Sequence, residues 1–348
     1  MTTTRRGFLG LTAAAIASIP VLKATAADPR YLYYGKYGDG VGIATYDAAG
    51  KITAAGTLSG VGDPSWVTRV GNRLYAANEQ DAGAVTAIAI DAPGNLRKLN
   101  RQTNGGSGPC HLIVANGYVI SANYGSGDLS VQKLKSDGGI GARTDLVEHQ
   151  GSSPHAHQVV QVGQYILAVD LGTNSVYTYT LSSAGKLTLK YQVTLPTGAG
   201  PRHLAVHPSG NFLYVANELN STIGVLKYVD GKLTVLNTQT TVPSGSPTNY
   251  PGEVIISADG RYVYLTNRGH NSIAVFAVNG DGATLTLKGT PSVGGTNPRH
   301  CIIDPTGTLM FVSNQDSGNI VSFAVDAATG GLTKKSTFSA ASVVCVNV

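Results

Sequence analysis

The sequence is poor in charged residues, and its cationic residues form no run. Asp, Glu, Lys and Arg make up 13% of the 348 residues, against roughly a quarter in an average globular protein. A protein that binds nucleic acid carries a basic patch or stripe. The formal net charge of +5 comes from residues scattered along the chain, so we expect no nucleic-acid partner.

Cysteine is also scarce, and the chain lacks several motifs that carry chemistry. Cys110, Cys301 and Cys345 are an odd number and cannot all form disulfides within the chain. They lie in apolar, strand-like segments, which is typical of small buried core residues. No C-x-x-C or H-E-x-x-H spacing is present, so the sequence predicts no metal site. The absence of G-x-S-x-G argues against a covalent acyl-enzyme on serine.

Long apolar runs are missing except near the N-terminus, at residues 9–22. This stretch is rich in alanine and shorter than the roughly 20 apolar residues that span a membrane. The preceding Thr4-Arg5-Arg6-Gly7-Phe8-Leu9 resembles a twin-arginine export motif, and Ala24-Thr25-Ala26 fits an A-x-A cleavage site. A membrane anchor is the alternative, but these flanks favour an export signal.

We therefore predict a twin-arginine-type signal peptide over residues 1–26, a mature domain over residues 28–348, and a periplasmic or secreted location. The predicted signal contains Arg5, Arg6 and Lys23 and no acid, so its removal lowers the net charge by three, from +5 to +2. We expect no membrane contact after cleavage.

Glycine is abundant, with 44 residues, and Tyr, Val, Thr and turn residues recur throughout, which is typical of an all-β protein. A segment of the type Leu-Tyr-Val-Ala-Asn-Glu recurs at spacings of 42 to 50 residues. Periods of about 40–50 residues with several short strands per copy are typical of propeller blades. The sequence therefore predicts a seven-bladed β-propeller. Its seven anchor positions are Lys36, Asn78, Asn123, Asp170, Asn217, Asn267 and Asn314.

Each copy is predicted to be a four-stranded antiparallel blade, and the two ends of the chain share the first one. The first copy has no strand before Leu32, whereas residues 342–347 form an apolar strand with nothing after it. We expect this C-terminal strand to complete the first blade from inside and close the ring. A single closed ring suggests a monomer. In the fifth copy, the predicted strands cover residues 203–207, 212–216, 222–228 and 233–239.

The hairpin from Gly200 to Leu219 carries charge only at its open end. Arg202 and His203 precede its first strand, and Glu218 follows its second. Arg202 and Glu218 are symmetric about Gly210 in the turn, so antiparallel pairing predicts that they lie directly side by side.

Polar residues cluster where the first strand of each blade starts and the second ends, which is one face of the ring. Four residues place charge or imidazole where other blades have neutral residues, which favours a functional site: Arg202, Glu218, Arg268 and His155. The alternatives are a structural ion pair for Arg202 and Glu218, a rim charge for Glu79, and hydrogen bonds between blades for Asn217 and the recurring histidines. Five of the eight histidines belong to this face: His111, His155, His157, His203 and His300.

Three segments resemble the lactonase seven-bladed β-propeller family of the bacterial 6-phosphogluconolactonase type. They are GAGPRHLAVHPSGNFLYVANELNST at 198–222, SPHAHQV at 153–159 and YVYLTNRGHNSIAVF at 262–276. The resemblance covers roughly residues 30–348 and extends to a fungal carboxy-muconate lactonising enzyme. By motif, it implies that Glu218, Arg202, His155 and Arg268 are catalytic. The substrate-binding residues predicted around them are His203, His157, His300, Arg299, Glu79 and Asn217.

The resemblance implies hydrolysis of a small-molecule lactone without a cofactor. Glu218 would activate water as general base, Arg202 and Arg268 would bind anionic groups and stabilise negative charge, and His155 would relay a proton. The acidic cluster of a calcium-dependent lactonase propeller is missing. Since 6-phosphogluconolactone is a cytoplasmic metabolite, an exported relative would more plausibly meet unphosphorylated aldonolactones.

Two other functions remain open from the sequence. One is a cyclase that runs related lactone chemistry on an unsaturated dicarboxylate. The other is a non-catalytic binding propeller, because the segments LYVAN, VYLTN and MFVSN also resemble YVTN repeats.

Overall fold

The computed structural model describes residues 30–348, which form 28 β-strands. None of these residues belongs to a helix that could cross a membrane. The signal peptide predicted over residues 1–26 lies outside the described residues.

The strands form seven four-stranded antiparallel sheets, each a blade of the predicted propeller. The four strands predicted in the fifth blade are present, with ends shifted by at most two residues. In chain order the strands are β1 Arg30–Lys36, β2 Asp39–Tyr46, β3 Ile52–Gly62, β4 Pro64–Val70, β5 Arg73–Asn78, β6 Ala84–Ala92, β7 Asn95–Thr103, β8 Pro109–Ala115, β9 Tyr118–Asn123, β10 Asp128–Leu134, β11 Ile140–Glu148, β12 Ala156–Val162, β13 Tyr165–Asp170, β14 Ser175–Leu181, β15 Leu187–Thr194, β16 Pro201–Val206, β17 Phe212–Asn217, β18 Thr222–Val229, β19 Lys232–Thr240, β20 Tyr250–Ile256, β21 Tyr262–Arg268, β22 Ser272–Asn279, β23 Thr284–Gly289, β24 Pro298–Ile303, β25 Leu309–Asn314, β26 Asn319–Val325, β27 Leu332–Ser339 and β28 Val343–Asn347.

The ring closes as the sequence predicts. Strand β28 pairs with β1, where Tyr33 lies opposite Asn347 and Tyr34 opposite Val346. The first blade therefore has the order β28-β1-β2-β3, with the C-terminal strand innermost. Because β28 also contacts β4 and β24, the innermost strands form a continuous ring around the channel.

Apolar side chains are buried between neighbouring blades. Second strands such as β17, Phe-Leu-Tyr-Val-Ala-Asn, are buried along their whole length because both faces of the sheet are covered. Between the fourth and fifth blades, Leu167 packs in one cluster with Leu204 and Leu213. Seven such clusters occur in the described residues, one at each boundary between blades.

A β-bulge interrupts the pairing of the two inner strands near the open end of the fifth-blade hairpin. Pro201 lies opposite Asn217 and His203 opposite Ala216, so Arg202 is the extra, unpaired residue. The register symmetric about Gly210 is therefore wrong, although Arg202 lies beside Glu218 as predicted, with its Nε 3.3 Å from Oε2. The two side chains are still neighbours, because Glu218 directly follows the last residue of β17. Bulges at the same place in four other blades free Ser65, Cys110, His157 and Arg299.

Candidate functional site

A cavity of about 210 Å³ lies at one end of the channel. Two structural positions supply its walls. One is the residue at or just after the end of the second strand of a blade, and the other is the bulge residue of the first strand. The second-strand ends contribute Tyr37, Glu79, Tyr124, Glu218 and Arg268, and the bulges contribute Cys110, His157 and Arg299.

Glu218 is held by two arginines. Its Oε2 lies 2.6 Å from Nη2 of Arg268 and 3.3 Å from Nε of Arg202. The Arg202 side chain is almost fully buried, whereas 18% of the Glu218 side chain is exposed. Glu218 Oε1 has no hydrogen bond to any residue from 30 to 348, so it is available to a molecule in the cavity.

Backbone carbonyls of β20 fix the orientation of both arginines. Arg202 Nη1 donates to the carbonyl of Gly252 at 3.0 Å. Arg268 donates to the carbonyls of Tyr250 and Pro251, each at 3.1 Å. Burial, followed by the charges of Arg268 and Arg299, lowers the pKa of Arg202 to about 9, which leaves it protonated at neutral pH.

A second polar group in the cavity wall consists of Tyr37, Glu79 and Arg299. The Tyr37 hydroxyl donates to Glu79 at 3.2 Å. Burial raises the pKa of Tyr37 to about 12, so the phenol stays protonated and can donate. The Arg299 guanidinium carbon lies 5.8 Å from the centre of the Tyr37 ring. Within residues 30–348, Arg299 forms neither a hydrogen bond nor an ion pair, unlike Arg202 and Arg268.

The two histidines of the SPHAH segment have different positions. His157 is the bulge residue of β12 and lines the cavity. His155 stacks on Tyr124 with ring centres 4.5 Å apart, and it is outside the cavity lining. Its Nδ1 donates to the carbonyl of Tyr124 at 2.8 Å, and Ser153 Oγ lies 3.2 Å from its Nε2. Both ring nitrogens of His155 therefore have protein partners.

The remaining predicted site residues lie behind the cavity wall. His203 and His300 are buried in the channel beside Glu253 and contact Trp66. Asn217 is buried and donates from Nδ2 to Thr222 Oγ1 at 2.9 Å. The structure therefore brings together Glu218, Arg202, Arg268, Arg299, Glu79 and His157, and it does not bring His155, His203, His300 or Asn217 into the cavity wall.

The sequence interpretation missed Tyr37, Tyr124 and Cys110 as cavity residues. The first two stand one residue after a repeat anchor, as Glu79 and Glu218 do, and a consistent reading of that position would have found them. Cys110 stands in the repeated Pro-x-His segment at the position that corresponds to Arg202 and Arg299, but the sequence interpretation gave it no role in the site.

All three cysteines are free and buried, as predicted. Burial raises the pKa of Cys110 to about 12, so its side chain is a thiol rather than a nucleophilic thiolate. Among residues 30–348, no group of three or more His, Cys, Asp or Glu side chains is arranged to hold a metal ion.

Comparisons with known proteins agree with the seven-bladed fold. Residues 31–348 match the family described as "Lactonase, 7-bladed beta-propeller". The chain belongs to this family. A 6-phosphogluconolactonase from Bacillus subtilis is 36% identical over 257 residues, which are 69% of this chain and 73% of that protein.

Two solved structures superpose on almost the whole ring. The periplasmic gluconolactonase of Pseudomonas aeruginosa has a TM-score of 0.87 and 27% identity, covering 92% of this chain and 99% of that one. A protein from Lactobacillus plantarum has the same TM-score at 32% identity, with 92% and 99% covered. The name of the Bacillus subtilis relative specifies a phosphorylated gluconolactone, whereas the name of the Pseudomonas aeruginosa relative does not.

Proposed function

We propose that this protein hydrolyses a sugar-derived lactone by attack of an activated water molecule. The observation that carries the proposal is the geometry of Glu218. Two arginines hold its Oε2 at 2.6 and 3.3 Å, while Oε1 has no hydrogen bond within the described chain. The membership in the lactonase family and the names of the two relatives above support the same reaction.

Glu218 Oε1 takes a proton from water as the water oxygen bonds to the lactone carbonyl carbon. The carbonyl oxygen gains negative charge, which the guanidinium of Arg268 stabilises. The bond between the acyl carbon and the ring oxygen then breaks. The proton held by Glu218 passes to that ring oxygen, which leaves a hydroxyl group and a carboxylic acid. His155 contributes by holding Tyr124 in the cavity wall.

The substrate we propose is a gluconolactone-type aldonolactone, with the 6-phosphate as the second candidate. Arg299 lines the cavity, forms no hydrogen bond or ion pair within residues 30–348, and would bind an anionic group of the substrate. A monomer without nucleic-acid or membrane partners stays a prediction.

Acid release from glucono-1,5-lactone and from its 6-phosphate tests the proposal after subtraction of spontaneous hydrolysis. We expect wild-type protein to open at least one of them faster than background. Glu218→Gln should lower kcat by at least about 100-fold, the usual contribution of a general acid–base group to the rate. Full activity of Glu218→Gln would show that another group is the base. No acceleration of either lactone would refute the proposed hydrolase.

Export is a separate proposal based on residues 1–26. Replacement of Arg5 and Arg6 by lysine should leave the protein in the cytoplasm when the cell fractions are compared. An unchanged distribution would contradict a twin-arginine signal.

A further inference from the structure

A buried carboxylate and a group of histidines fill the channel behind the cavity wall. Glu253 is 4% exposed, and the proposed reaction does not use it. His203 Nδ1 lies 2.9 Å from both carboxylate oxygens of Glu253. His300 Nε2 lies 3.5 Å from Oε2, and the Val254 N–H donates to Oε1 at 3.2 Å.

These contacts determine which nitrogen of each neutral imidazole carries the proton. The backbone N–H of Val346 donates to Nδ1 of His300 at 3.4 Å, so His300 carries its proton on Nε2 and directs it at Glu253. Glu253 then accepts hydrogen bonds from Nε2 of His300 and from the N–H of Val254. It accepts a third hydrogen bond from Nδ1 of His203. Burial, together with the positive charge of Arg202, lowers the pKa of His203 well below its usual range, so the ring is neutral. Its Nε2 therefore has a lone pair.

Besides Nε2 of His149, two buried imidazole nitrogens lack hydrogen-bond partners within the described chain: Nε2 of His203 and Nδ1 of His157. Their rings are neighbours, with centres 5.0 Å apart and planes at 68°. If His157 carries its proton on Nδ1, it supplies the donor that the His203 lone pair needs. A small shift of either ring then satisfies both nitrogens. In that tautomer, Nε2 of His157 has a lone pair, and His157 lines the cavity.

We infer that Glu253 is a positioning residue that sets the tautomer of His157 through His203, and that His157 accepts a hydrogen bond from a substrate hydroxyl group. The inference rests on the proposed function, because it takes the substrate to be a hydroxylated lactone. Burial and the charge of Arg202 lower the pKa of His157 well below its usual range. His157 is therefore neutral at neutral pH, with one ring nitrogen that accepts a hydrogen bond.

His111 offers the competing arrangement. Its ring centre is 5.5 Å from that of His203, and the Val159 N–H donates to its Nδ1 at 3.5 Å, so its proton is on Nε2. If the Nε2–H of His111 donated a hydrogen bond to His203, the His203 lone pair would already be satisfied. Glu253 would then not determine the tautomer of His157. The two arrangements predict different NMR spectra.

Imidazole ¹⁵N NMR spectra of the full-length protein test these tautomers and need no substrate. The His157 signals are assigned by comparison with His157→Gln. We expect His157 to carry its proton on Nδ1 in the wild type. Glu253→Gln, whose amide can donate to His203, should move the proton of His157 to Nε2. Should Glu253→Gln not fold, His203→Gln provides the same comparison. A wild-type His157 protonated on Nε2, or a tautomer that neither variant changes, would overturn the inference.

Kinetics test the hydroxyl contact. For glucono-1,5-lactone, Glu253→Gln and His157→Phe should lower kcat/KM by about 3- to 10-fold, the usual contribution of one hydrogen bond, mainly through KM. For δ-valerolactone, which has the same ring without hydroxyl groups, the loss should be less than about 2-fold on the same reasoning. His207→Gln is the matched control, because the His207 side chain lies outside the cavity lining and hydrogen-bonds to Ser209 in a turn. Equal losses on both lactones would overturn the contact. If the wild type opens neither lactone, the proposed function fails, and the NMR result alone decides the role of Glu253.

Discussion

At the scale of single residues, the three arginines of the site differ in how many of their hydrogen-bond donors have protein partners. Arg202 and Arg268 hold Glu218 and are fixed by carbonyls of β20. Within residues 30–348, Arg299 forms no hydrogen bond or ion pair, and its guanidinium carbon lies 5.8 Å from the centre of the Tyr37 ring. A guanidinium with free donors in a partly enclosed cavity is suited to bind an anion from solution.

Arg299→Gln should therefore discriminate between the two candidate substrates. We expect kcat/KM for the 6-phosphate to fall roughly 10- to 100-fold, since hydrogen bonds to charged groups are worth about 1.5–3 kcal/mol. The neutral lactone should lose much less. Arg261→Gln is the control, because Arg261 is an exposed arginine paired with Asp259. Equal losses on both lactones would exclude Arg299 as an anion-binding residue.

The buried histidines should make folding stability depend on pH. Burial lowers the pKa of His300 to about 4, and it lowers the pKa of His111, His157 and His203 well below their usual range. Between pH 4 and 6.5 the unfolded chain binds more protons than the folded chain, so stability falls as the pH falls through this window. His300 alone accounts for roughly 3 kcal/mol. The raised pKa of Glu253 acts in the opposite direction, but it is one group against four.

Urea denaturation at pH 7 and at pH 4.5 measures this effect. His300→Gln should reduce the difference between the two free energies of unfolding, whereas His207→Gln should not. A free energy of unfolding that is equal at both pH values would contradict the burial of neutral histidines.

At the scale of strands, the bulges explain what the sequence could and could not predict. The blade count and the ring closure are visible as a repeat, and Glu79, Glu218 and Arg268 follow from the ends of second strands. The bulge follows a proline in several blades, as at Pro109-Cys110, Pro201-Arg202 and Pro298-Arg299, but one sequence does not show that the strand pairing is interrupted there. The bulge of β12 directs His157 into the cavity and leaves His155 outside, although both stand in the same SPHAH segment.

Gly252→Ala should disturb the site, because Gly252 lies in β20 where the pairing with β21 is irregular between Pro251 and Val254. A Cβ at this position would lie 2.6 Å from Thr266 Oγ1 and 3.1 Å from the carbonyl oxygen of Arg299. The Gly252 carbonyl holds Arg202, so a shift of this segment should lower kcat as well as stability, the latter by about 1–3 kcal/mol. Gly289→Ala is the control, because no atom lies within 4 Å of its added Cβ. Unchanged kcat in Gly252→Ala would show that the carbonyl does not position Arg202.

At the scale of the whole molecule, stability depends on seven apolar boundaries between blades, and the boundary that closes the ring includes β28. Val346 is 2% exposed and packs in one cluster with Leu32 and Phe311. This cluster joins the last blade to the first.

Val346→Asp should open this boundary. Burial of an unpaired carboxylate should reduce the free energy of unfolding by at least about 3 kcal/mol. The control is Val229→Asp, since Val229 is 60% exposed at the end of β18. Thermal and urea denaturation of both variants measure the difference. Equal stability of the two variants would contradict a role for β28 in closing the ring.

The pairing of β28 with β1 also constrains the order of folding. Six blades consist of contiguous chain and can form from local hairpins, but the first blade needs strands from opposite ends of the described sequence. Its formation carries the entropy of closing one very long loop, a cost that grows only with the logarithm of loop length. Fragments that lack either end therefore cannot contain seven complete blades.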